Sequence, residues 1–357
     1  MTDVQRRAAI VGTGLIGGSI GLALRARGWH VTGTDTNTGH AELALALGAI
    51  DQVGEDPEAE VTFIATPVSG VVPAALEALA AARDGVVTDV AGVKGSILAG
   101  LANPRFVGGH PMAGSEQEGV EGADPDLFAG ATWVLTPTAS TSPEAFARLR
   151  GVISSLGADV IALSPDQHDT MVALVSHVPH LTAATLMGMA ADASADRGAL
   201  LRLAAGGFRD MTRVASGHPG IWPDICSENR DAIVATLDRL ISSLAEVRQI
   251  VAAGDRADLL ARLDRARITR RELPSPVTGA EALVEVRVPV ADRLGALAEV
   301  TTLAGALGVN IDDLVLTHSG EGDRGVLILV IEAASVDRVR QSLHSAGFHP
   351  SSGRRLD

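Results

Sequence analysis

The sequence predicts an α/β protein whose N-terminal part is a doubly wound, parallel sheet, followed by an all-helical second domain and a small βαββαβ unit. Three observations predict this organisation. Short apolar runs alternate with helical patterns in the first half, helical periodicity without strand signals follows from residue 164, and strand and helix patterns alternate again beyond a proline-rich linker. We therefore predict domains at residues 1–163, 164–273 and 280–357.

The composition excludes several classes of protein. The chain has 357 residues, of which 46% are hydrophobic and 20% charged, enough to bury a core in about two to three domains. Its net charge of −14 repels phosphate backbones, so we expect no nucleic-acid partner. The single cysteine, Cys226, excludes an intrachain disulfide framework and a multi-cysteine metal site. With no run of about 18 apolar residues, we expect no membrane span and a soluble, cytoplasmic protein.

The first half contains strand-like runs at residues 8–11, 30–34, 61–65, 85–89, 105–108 and 132–135. Helical patterns separate them. Strands that alternate with helices form βαβ units around a parallel sheet, and ligands bind such sheets at the carboxyl ends of the strands. We expect the functional residues of this half at that edge.

Residues 12–17 read Gly-Thr-Gly-Leu-Ile-Gly directly after the first predicted strand. Gly12 permits the tight turn, Gly14 lets the backbone approach a pyrophosphate, and Gly17 allows close packing of strand and helix. The second strand ends at Asp35, about 20 residues on, where a carboxylate accepts bonds from a ribose hydroxyl and repels a 2′-phosphate. This Rossmann-type pattern predicts binding of NAD rather than NADP, with a purely structural glycine turn as the alternative.

Three positive charges bear on the cofactor site. Arg25 and Arg27 follow the glycine turn closely, and either could reach a 2′-phosphate, which leaves NADP open. Lys94 is the single lysine beside 28 arginines and follows the strand at residues 85–89. We predict that a compact ammonium is needed there, next to the cofactor; the alternative is a lysine on a solvated loop.

Histidines and one arginine supply the candidate chemistry. His110 lies just after the fifth predicted strand, where it could take the proton of an alcohol during hydride removal; a structural histidine is the alternative. His177 and His180 are three residues apart on one helix face, and without a third ligand the pair predicts no metal site. Arg213 follows a glycine turn, and its guanidinium suits a substrate carboxylate or a salt bridge between helices.

The rest of the chain divides at the proline-rich linker of residues 273–279. Ser164, Pro165 and Asp166 start a helix that we expect to run to about residue 195, kinked at Pro179. Residues 227–271 read as one or two long amphipathic helices that close the site and supply a dimer interface. The tail has the βαββαβ order of a ferredoxin-like unit, with strands at 282–290, 311–316 and 326–331, helices at 294–307 and 336–346, and a possible last strand.

Several segments together resemble the prephenate dehydrogenase family with a C-terminal ACT regulatory domain, over nearly the whole chain. They are residues 12–19, 89–95, 109–116, 164–169, 176–180, 207–215 and 222–229. The resemblance implies NAD-dependent oxidative decarboxylation of prephenate to 4-hydroxyphenylpyruvate, in tyrosine biosynthesis. It also implies a homodimer whose ACT tail binds an amino-acid effector, for which tyrosine is the expected identity.

The resemblance also assigns roles to residues. The implied catalytic residues are His110, which bonds the ring hydroxyl of the substrate, His180 and Arg213. The implied substrate-binding residues are Ser115, Glu116, His177, His180 and Arg213, with Arg213 on a carboxylate. The predicted cofactor-binding residues are Gly12, Gly14, Leu15, Ile16, Gly17, Asp35, Thr66 and Lys94. The implied effector-binding residues are Asp292, Gly295, Ala296, Asn310 and Ile311.

One position departs from the family pattern, and several alternatives stay open. Relatives often carry a serine where this chain has Gly92, and glycine cannot bond the histidine and the cofactor as that serine would; water or Ser115 could replace it. Arogenate, with Glu116 pairing its ammonium, is the alternative substrate. The early glycine turn disfavours a phosphoglycerate-type dehydrogenase, and the lack of any lysine after Lys94 disfavours a β-hydroxyacid dehydrogenase. A non-catalytic NAD or amino-acid sensor is the alternative of a different class.

Overall fold

The computed structural model describes residues 5–114, 117, 119–192, 203–204, 206–217, 219–271, 283–291, 293, 295–311, 313–318 and 324–356. The chain divides into two compact units, one up to Gly254 and one from Asp255 onward. Residues 255–271 therefore group with the C-terminal unit. The domain boundaries that the sequence suggests at residues 163, 273 and 280 stay predictions.

The first unit is built on a sheet with the strand order β3-β2-β1-β4-β5-β6-β7-β8. Its strands are β1 Arg7–Val11, β2 His30–Thr34, β3 Gln52–Val53, β4 Val61–Ile64, β5 Val86–Asp89, β6 Phe106–Pro111, β7 Thr132–Thr136 and β8 Asp159–Ala162. Neighbouring strands pair in parallel, except β6 and β7, which pair antiparallel. The strand order reverses between β1 and β4, and such a switch point is where ligands bind in open α/β sheets.

Helices alternate with these strands and continue beyond them. Their bounds are α1 Leu15–Arg25, α2 Thr38–Ala46, α3 Val68–Ala81, α4 Gly95–Ala99, α5 Pro143–Ser155, α6 Pro165–Val172, α7 Val178–Asp192, α8 Gly206–Thr212, α9 Trp222–Glu228 and α10 Arg230–Ala253. Short 3-10 turns lie at Val120–Gly122, Arg213–Ser216 and Pro219–Ile221. The predicted α/β sheet followed by a helical region is confirmed.

The central strands are buried on both faces, which is why they read as continuous apolar runs rather than alternating ones. All four residues of β4 and of β5 are buried. Trp133 on β7 packs against Phe63 and Phe128, with ring centroids 6.3 and 5.0 Å apart. Burial of each such side chain stabilises the fold by roughly 1.5–3 kcal/mol. This core fixes the strand ends that carry the site residues.

The sheet differs from the prediction at its edges and at one pairing. β3 and β8 are short edge strands of two and four residues, largely exposed, and they are not among the strands predicted from the sequence. β6 and β7 are antiparallel, whereas the sequence predicts βαβ units throughout. The described part of the connection between them holds one short 3-10 turn and no crossover helix, which a parallel pair would require.

The helix that starts after Ser164 is continuous but irregular. Ser164 Oγ accepts a hydrogen bond from the N–H of Gln167, and the Gln167 side chain accepts one from the N–H of Ser164, which is a capping box. Between α6 and α7, residues Ala173–His177 form a π turn. Pro179 has no N–H to donate into the preceding turn, so this irregular turn takes the place of the predicted kink.

The helical run Pro165–Asp192 is long and apolar enough to cross a membrane, judged by length and composition alone. One such helix is weak evidence, since core helices of soluble proteins pass the same test. This run carries the buried polar residues His168, Asp169 and His177, each hydrogen-bonded to another element of the unit or to its neighbour. We therefore interpret it as a helix of the folded unit.

The second unit begins with α11 Arg256–Arg271 and continues as a four-stranded sheet with two helices. Its elements follow as β9 Leu283–Ala291, α12 Ala296–Ala306, β10 Asp313–His318, β11 Arg324–Glu332, a 3-10 turn Ala333–Ser335, α13 Val336–Ser345 and β12 Ser351–Leu356. The strands pair antiparallel in the order β10-β11-β9-β12, and the βαββαβ sequence of elements is that of a ferredoxin-like unit. Val288, Leu329, Val300 and Leu343 lie in its own apolar core.

Candidate active site

The glycine turn between β1 and α1 has the geometry that a dinucleotide needs. Gly12 has a positive φ of 97°, and a Cβ on it would overlap the carbonyl oxygen of Ala65 at the end of β4. A Cβ on Gly17 would overlap the carbonyl oxygen of Gly12, whereas a Cβ on Gly14 would meet nothing within 4 Å. Gly14 therefore leaves an open approach to the N-terminus of α1, which begins at Leu15.

The carboxylate of Asp35 is held at the end of β2. Its Oδ2 accepts hydrogen bonds from the N–H of Thr13 at 2.9 Å and from the Thr13 hydroxyl at 3.3 Å. Its Oδ1 accepts the N–H of Asn37 at 2.9 Å, and Nδ1 of His40 lies 3.6 Å from the same oxygen. These contacts fix the carboxylate beside the glycine turn, where it suits a ribose hydroxyl.

Arg25 and Arg27 lie at the other end of α1. Arg25 donates to the carbonyl oxygen of Gly48 and pairs with Asp51 at 2.9 Å. Arg27 donates to the carbonyl oxygen of Ser155. Because both guanidiniums are bound at the C-terminal end of the helix, they give no support to the NADP alternative.

Thr66 stands beside the glycine turn, where β4 leads into α3. Its backbone nitrogen lies 3.2 Å from the place of a Gly12 Cβ, and its hydroxyl oxygen is buried with no hydrogen-bond partner among the described residues. Buried polar atoms normally have partners. The open Gly14, the held Asp35 and this hydroxyl together fit a dinucleotide, while the side chain of Ile16 packs against the core of the sheet.

Lys94 is completely buried, so the alternative of a solvated loop is wrong. Its ammonium donates to Oδ2 of Asp89, which is also completely buried at the end of β5. Oδ2 accepts the N–H of Ala91 at 2.9 Å as well, and Oδ1 accepts the N–H of Gly109 at 3.1 Å. Burial lowers the pKa of Lys94, and the charge of Asp89 offsets part of that effect. The contact of Lys94 with a cofactor stays a prediction.

Two glycines make room for this buried pair. A Cβ on Gly108 would lie 3.2 Å from Cδ of Lys94, and a Cβ on Gly109 would lie 2.7 Å from the carbonyl oxygen of Asp89. His110 follows directly and is the fifth residue of β6, so it lies within the strand end rather than after it. The strand that carries His110 is thereby packed onto the Asp89–Lys94 pair.

His110 is hydrogen-bonded to a second histidine, to which the sequence motifs assign no role. Nδ1 of His110 lies 2.9 Å from Nε2 of His168, and the two rings meet edge to face with centroids 5.1 Å apart. Nδ1 of His168 lies 2.7 Å from Oδ1 of Asp169. Asp169 also accepts the N–H groups of Lys94 at 2.8 Å and of Gly95 at 2.7 Å. A row of hydrogen bonds thus runs from His110 to a fixed carboxylate.

The surroundings of His110 favour its neutral form. Burial lowers the pKa of His110 well below its ordinary value, and the nearby charge of Lys94 lowers it further. Burial alone would raise the pKa of Asp169, but hydrogen bonds from His168 and from two backbone N–H groups outweigh it and hold this pKa below its ordinary value. A neutral imidazole backed by a carboxylate is arranged to accept a proton.

The other ring nitrogen of His110, Nε2, faces Gly92. A Cβ on Gly92 would lie 3.7 Å from both Nε2 and Cε1 of His110. A serine at this position would therefore put its hydroxyl against Nε2. In this chain His110 is held through Nδ1 instead, and glycine places no side chain beside Nε2.

His177 and His180 contact the same tryptophan. The ring of His180 stacks on Trp222 with centroids 3.7 Å apart, and His177 meets the Trp222 ring edge to face at 6.1 Å. The amide nitrogen of Asn229 donates to the carbonyl of Asp169 at 2.9 Å and to Nδ1 of His177 at 3.2 Å. Burial lowers the pKa of His177 to about 4 and lowers that of His180 too. Within the part of the chain that the structure describes, no three His, Cys, Asp or Glu side chains cluster as metal ligands.

The structure brings the turn that carries Arg213 next to His180. Arg213 begins the 3-10 turn Arg213–Ser216, which packs on α7. Gly217 follows, and a Cβ on it would lie 3.8 Å from Cε1 of His180. The roles of Arg213 and His180 in substrate binding stay predictions. Ser115 and Glu116 lie outside the described residues.

Sequence reasoning missed His168, Asp169 and Trp222 as site residues. A signal existed for the first two, because a histidine and an aspartate follow the capping box directly, inside a segment that matches the family. The contact that matters joins His110 and His168, which are 58 residues apart. It depends on how α6 meets the end of β6, which no local pattern encodes.

The predicted effector residues lie in the second unit. Gly295 precedes α12 with a φ of 86°, and a Cβ on it would meet nothing within 4 Å, so its left-handed backbone is what favours glycine. Ala296 is buried at the first position of α12, Ile311 packs partly against the core, and Asn310 is exposed. Asp292 lies outside the described residues. Binding of an effector here stays a prediction.

Hydride transfer from an alcohol needs a nicotinamide cofactor and a group that takes the hydroxyl proton. One edge of this sheet carries a turn shaped for the cofactor and a half-buried neutral imidazole suited to the proton, which defines an NAD-dependent dehydrogenase. Residues 20–162 match the family described as "Prephenate dehydrogenase, nucleotide-binding domain", and residues 164–265 match "Prephenate dehydrogenase, dimerization domain". The chain belongs to the prephenate dehydrogenase family.

Individual relatives agree with this family. The chain is 34% identical over 343 residues to a prephenate dehydrogenase of Bacillus subtilis (strain 168), and the match covers 92% of each chain. The crystal structure of the Aquifex aeolicus prephenate dehydrogenase with hydroxyphenyl propionate and NAD+ matches with a TM-score of 0.71 and 30% identity, over 77% of this chain and 100% of that one. Synechocystis arogenate dehydrogenase matches with a TM-score of 0.66 and 32% identity, over 74% and 98% of the two chains.

Proposed function

We propose that this protein catalyses the NAD-dependent oxidative decarboxylation of prephenate to 4-hydroxyphenylpyruvate. The observation that carries the proposal is the hydrogen bond from Nδ1 of His110 to His168, 2.9 Å long, at the same edge of the sheet as the dinucleotide turn. It leaves Nε2 of a neutral imidazole as the acceptor for a hydroxyl proton. The similarity to the Bacillus subtilis and Aquifex aeolicus enzymes supports prephenate as the source of that hydroxyl.

In this reaction the residues of the chain orient the two reactants and remove one proton. Bound at the glycine turn and Asp35, NAD would supply the acceptor for the hydride of the ring carbon that bears the hydroxyl group. His110 takes the hydroxyl proton on Nε2, and the ring carboxylate then leaves as carbon dioxide. Aromatisation makes that last step strongly downhill, so the protein mainly orients the two reactants and removes one proton.

His180 and Arg213 are proposed to hold the substrate. The His180 ring is fixed by stacking on Trp222, and its lowered pKa keeps it neutral, so that it can exchange a hydrogen bond with a polar group of the substrate. The guanidinium of Arg213 matches a carboxylate with two parallel hydrogen bonds. Ser115, Glu116 and His177 complete the proposed substrate-binding set.

Incubation of the pure protein with NAD and prephenate tests this function directly. We expect reduced nicotinamide, carbon dioxide and 4-hydroxyphenylpyruvate in equal amounts, followed by absorbance and by mass spectrometry. A protein that binds NAD but forms none of these products from prephenate or arogenate would be the non-catalytic sensor.

Arogenate is the second candidate substrate, and the 32% identity to Synechocystis arogenate dehydrogenase favours it specifically. The two substrates differ in the side chain, which carries an amino group in arogenate and a keto group in prephenate. Glu116 is the residue that we propose would pair with the ammonium. The ratio of kcat/KM for the two compounds, measured in the same preparation, decides between them.

We propose that the protein is a homodimer that forms through its helical region. The match of residues 164–265 to a dimerization domain supports this proposal. So does the exposure of large apolar side chains on α7, α10 and the π turn before α7. These side chains are Leu174, Val175, Met189, Val234, Ile241, Leu244 and Val251. Light scattering coupled to gel filtration measures the mass of the particle.

Residues 280–357, the part of the second unit beyond α11, are proposed to form an ACT domain that binds tyrosine, in a protein of the cytoplasm. Its βαββαβ topology and the left-handed Gly295 before α12 support the assignment. Asp292, Ala296, Asn310 and Ile311 are the other proposed effector residues. The free thiol of Cys226 is compatible with a reducing compartment.

A further inference from the structure

We propose that His168 is a proton relay: when Nε2 of His110 accepts the substrate proton, the proton on Nδ1 of His110 passes to Nε2 of His168. The positive charge then rests on His168, beside the carboxylate of Asp169. This inference rests on the proposed function of His110 as the base. His168 and Asp169 act through His110 and are positioning residues in this scheme.

The protonation states of His110 and His168 follow from Asp169, the fixed end of the row of hydrogen bonds. Asp169 already accepts N–H groups from Lys94 at 2.8 Å and Gly95 at 2.7 Å, so it is a carboxylate that accepts from Nδ1 of His168 as well. His168 then carries its proton on Nδ1 and presents a bare Nε2. That nitrogen lies 2.9 Å from Nδ1 of His110, which must therefore be the donor. The bare nitrogen of His110 is Nε2, on the side of Gly92.

The bonds balance without any further reactant. The O–H bond of the substrate breaks as an N–H bond forms at Nε2 of His110. The N–H bond at Nδ1 of His110 breaks as one forms at Nε2 of His168. His168 keeps its proton on Nδ1, hydrogen-bonded to Asp169, and becomes an imidazolium. His110 returns to a neutral ring that now carries its proton on Nε2. No electrons are transferred in these steps.

The surroundings of the two rings explain why the charge would move. His110 is half-buried at the end of β6, where its ring is partly desolvated and near the ammonium of Lys94. Both features disfavour a positive ring, as its lowered pKa reflects. His168 is completely buried, but its Nδ1 lies 2.7 Å from a carboxylate. A carboxylate at this distance attracts a positive charge that arrives on the ring beside it.

Asp169 is anchored on three sides, so it cannot swing away from His168. Two backbone N–H groups of the turn after β5 bind its carboxylate, and the Asn229 side chain binds its backbone carbonyl at 2.9 Å. Lys94, whose N–H is one of these donors, is itself fixed through its ammonium on Asp89. The relay is therefore built into the packing of α6 against the sheet edge.

The position of Gly92 gives the relay a particular importance in this chain. Among the described residues, the hydrogen bond to His168 is the one that orients the His110 ring, because glycine offers no side chain beside Nε2. Loss of His168 would remove both the orientation of His110 and the destination of its proton.

Two variants separate orientation from proton transfer. His168→Gln keeps a carbonyl oxygen that can accept from Nδ1 of His110 but cannot take a proton, whereas His168→Ala removes the partner entirely. We expect kcat to fall by about 100-fold in both, the usual worth of acid–base chemistry, with the affinity for NAD unchanged. His30→Gln is the matched control, since His30 lies 3.7 Å from Asp51 at the far end of β2.

A spectroscopic readout tests the protonation states without turnover. In protein labelled with nitrogen-15 in histidine, correlation spectra at mildly alkaline pH distinguish rings that carry the proton on Nδ1 from rings that carry it on Nε2. We expect His110 and His168 both to carry it on Nδ1, with assignments from the single variants. In Asp169→Asn, His168 is expected to lose this preference and kcat to fall by about 100-fold or more.

Each outcome is decisive. Wild-type kcat in His168→Gln together with a loss in His168→Ala would show that orientation alone matters, and the relay would be wrong. A proton on Nε2 of either ring in the resting protein would also overturn it. An inactive wild-type protein whose two rings both carry the proton on Nδ1 would contradict the proposed substrate instead, and would leave the resting state of the relay intact.

Discussion

The ammonium of Lys94 is bound to the carboxylate of Asp89 in the interior of the protein, and this pair connects the two strand ends that position His110. Asp89 accepts the N–H of Gly109, the residue before His110, at 3.1 Å. Lys94 gives its own N–H to Asp169, whose carboxylate is bound to His168, the partner of His110. The interactions close a ring from Asp89 back to His110, so the base is held from both its backbone and its side chain.

Removal of the Lys94 charge should destabilise the whole first unit. In Lys94→Met the carboxylate of Asp89 stays buried without its cation, which costs about 3–5 kcal/mol of the free energy of unfolding. Urea unfolding monitored by circular dichroism measures this loss. Arg83→Met is the control, because the Arg83–Glu58 pair is exposed and contributes less than about 1 kcal/mol.

Lys94→Arg tests the shape of the same site. Gly108 and Gly109 leave room for a slender side chain, and a planar guanidinium is wider than an ammonium. We expect lower turnover together with lower stability. Wild-type kinetics and stability in this variant would mean that any buried cation suffices and that the site does not select lysine.

His110→Asn should lower kcat by about 100-fold or more, because asparagine cannot accept the hydroxyl proton. The affinity for NAD should stay nearly unchanged, since the glycine turn and Asp35 are separate from the ring. Steady-state kinetics and NAD titration by calorimetry measure the two quantities in one preparation. An unchanged kcat would remove His110 from the mechanism.

The parts of this site that the sequence predicts are those encoded within a few residues. The glycine spacing at 12–17 and Asp35 lie on one βαβ unit, so their meeting follows from the local fold. The partners His168 and Asp169 are on a helix that begins only after the sheet is complete, and their contact with His110 requires the tertiary arrangement. Lys94 stood out by composition, but its burial depends on Gly108 and Gly109 opposite, which no spacing rule connects to it. The antiparallel pair β6 and β7 was missed for a similar reason, since both strands have the apolar pattern of parallel neighbours.

Arg213→Ala should raise KM for the substrate by about 10-fold or more, with a smaller change in kcat, since hydrogen bonds to a charged group are worth about 1.5–3 kcal/mol. Arg209→Ala is the control from the same segment, because Arg209 donates to the backbone carbonyl of Ala204 on the exposed side of α8. A fall in kcat with KM unchanged would contradict a carboxylate clamp and assign Arg213 to the chemical step.

The lowered pKa of His177 predicts that the protein loses stability in mild acid. Burial holds the pKa of His177 at about 4, against about 6.5 in an unfolded chain. Between these values the unfolded chain binds a proton that the folded protein does not, so the free energy of unfolding is complete above the upper value and falls as the pH decreases through the window. The lowered pKa of His110 acts in the same direction.

Urea unfolding at a series of pH values across this window measures the effect. We expect His177→Gln to flatten the dependence of the free energy of unfolding on pH. A free energy of unfolding that stays constant from neutral pH to the lower end of the window would contradict the burial of a neutral His177.

Truncation after Thr278 should leave an active dimer that no longer responds to tyrosine. The elements from β9 onward, which this truncation removes, have an apolar core of their own. Tyrosine can inhibit through the tail only if it binds one arrangement of the tails more tightly than another. The measurement is inhibition of the full-length and truncated proteins at saturating prephenate, where competition at the active site is suppressed.

Gly295→Val in the full-length protein is a second test of the same regulation. A β-branched residue does not readily adopt the φ of 86° found there, so the variant should weaken inhibition by tyrosine without lowering the uninhibited rate. Equal inhibition of full-length and truncated protein, or none of the full-length form, would leave the βαββαβ unit without a regulatory role.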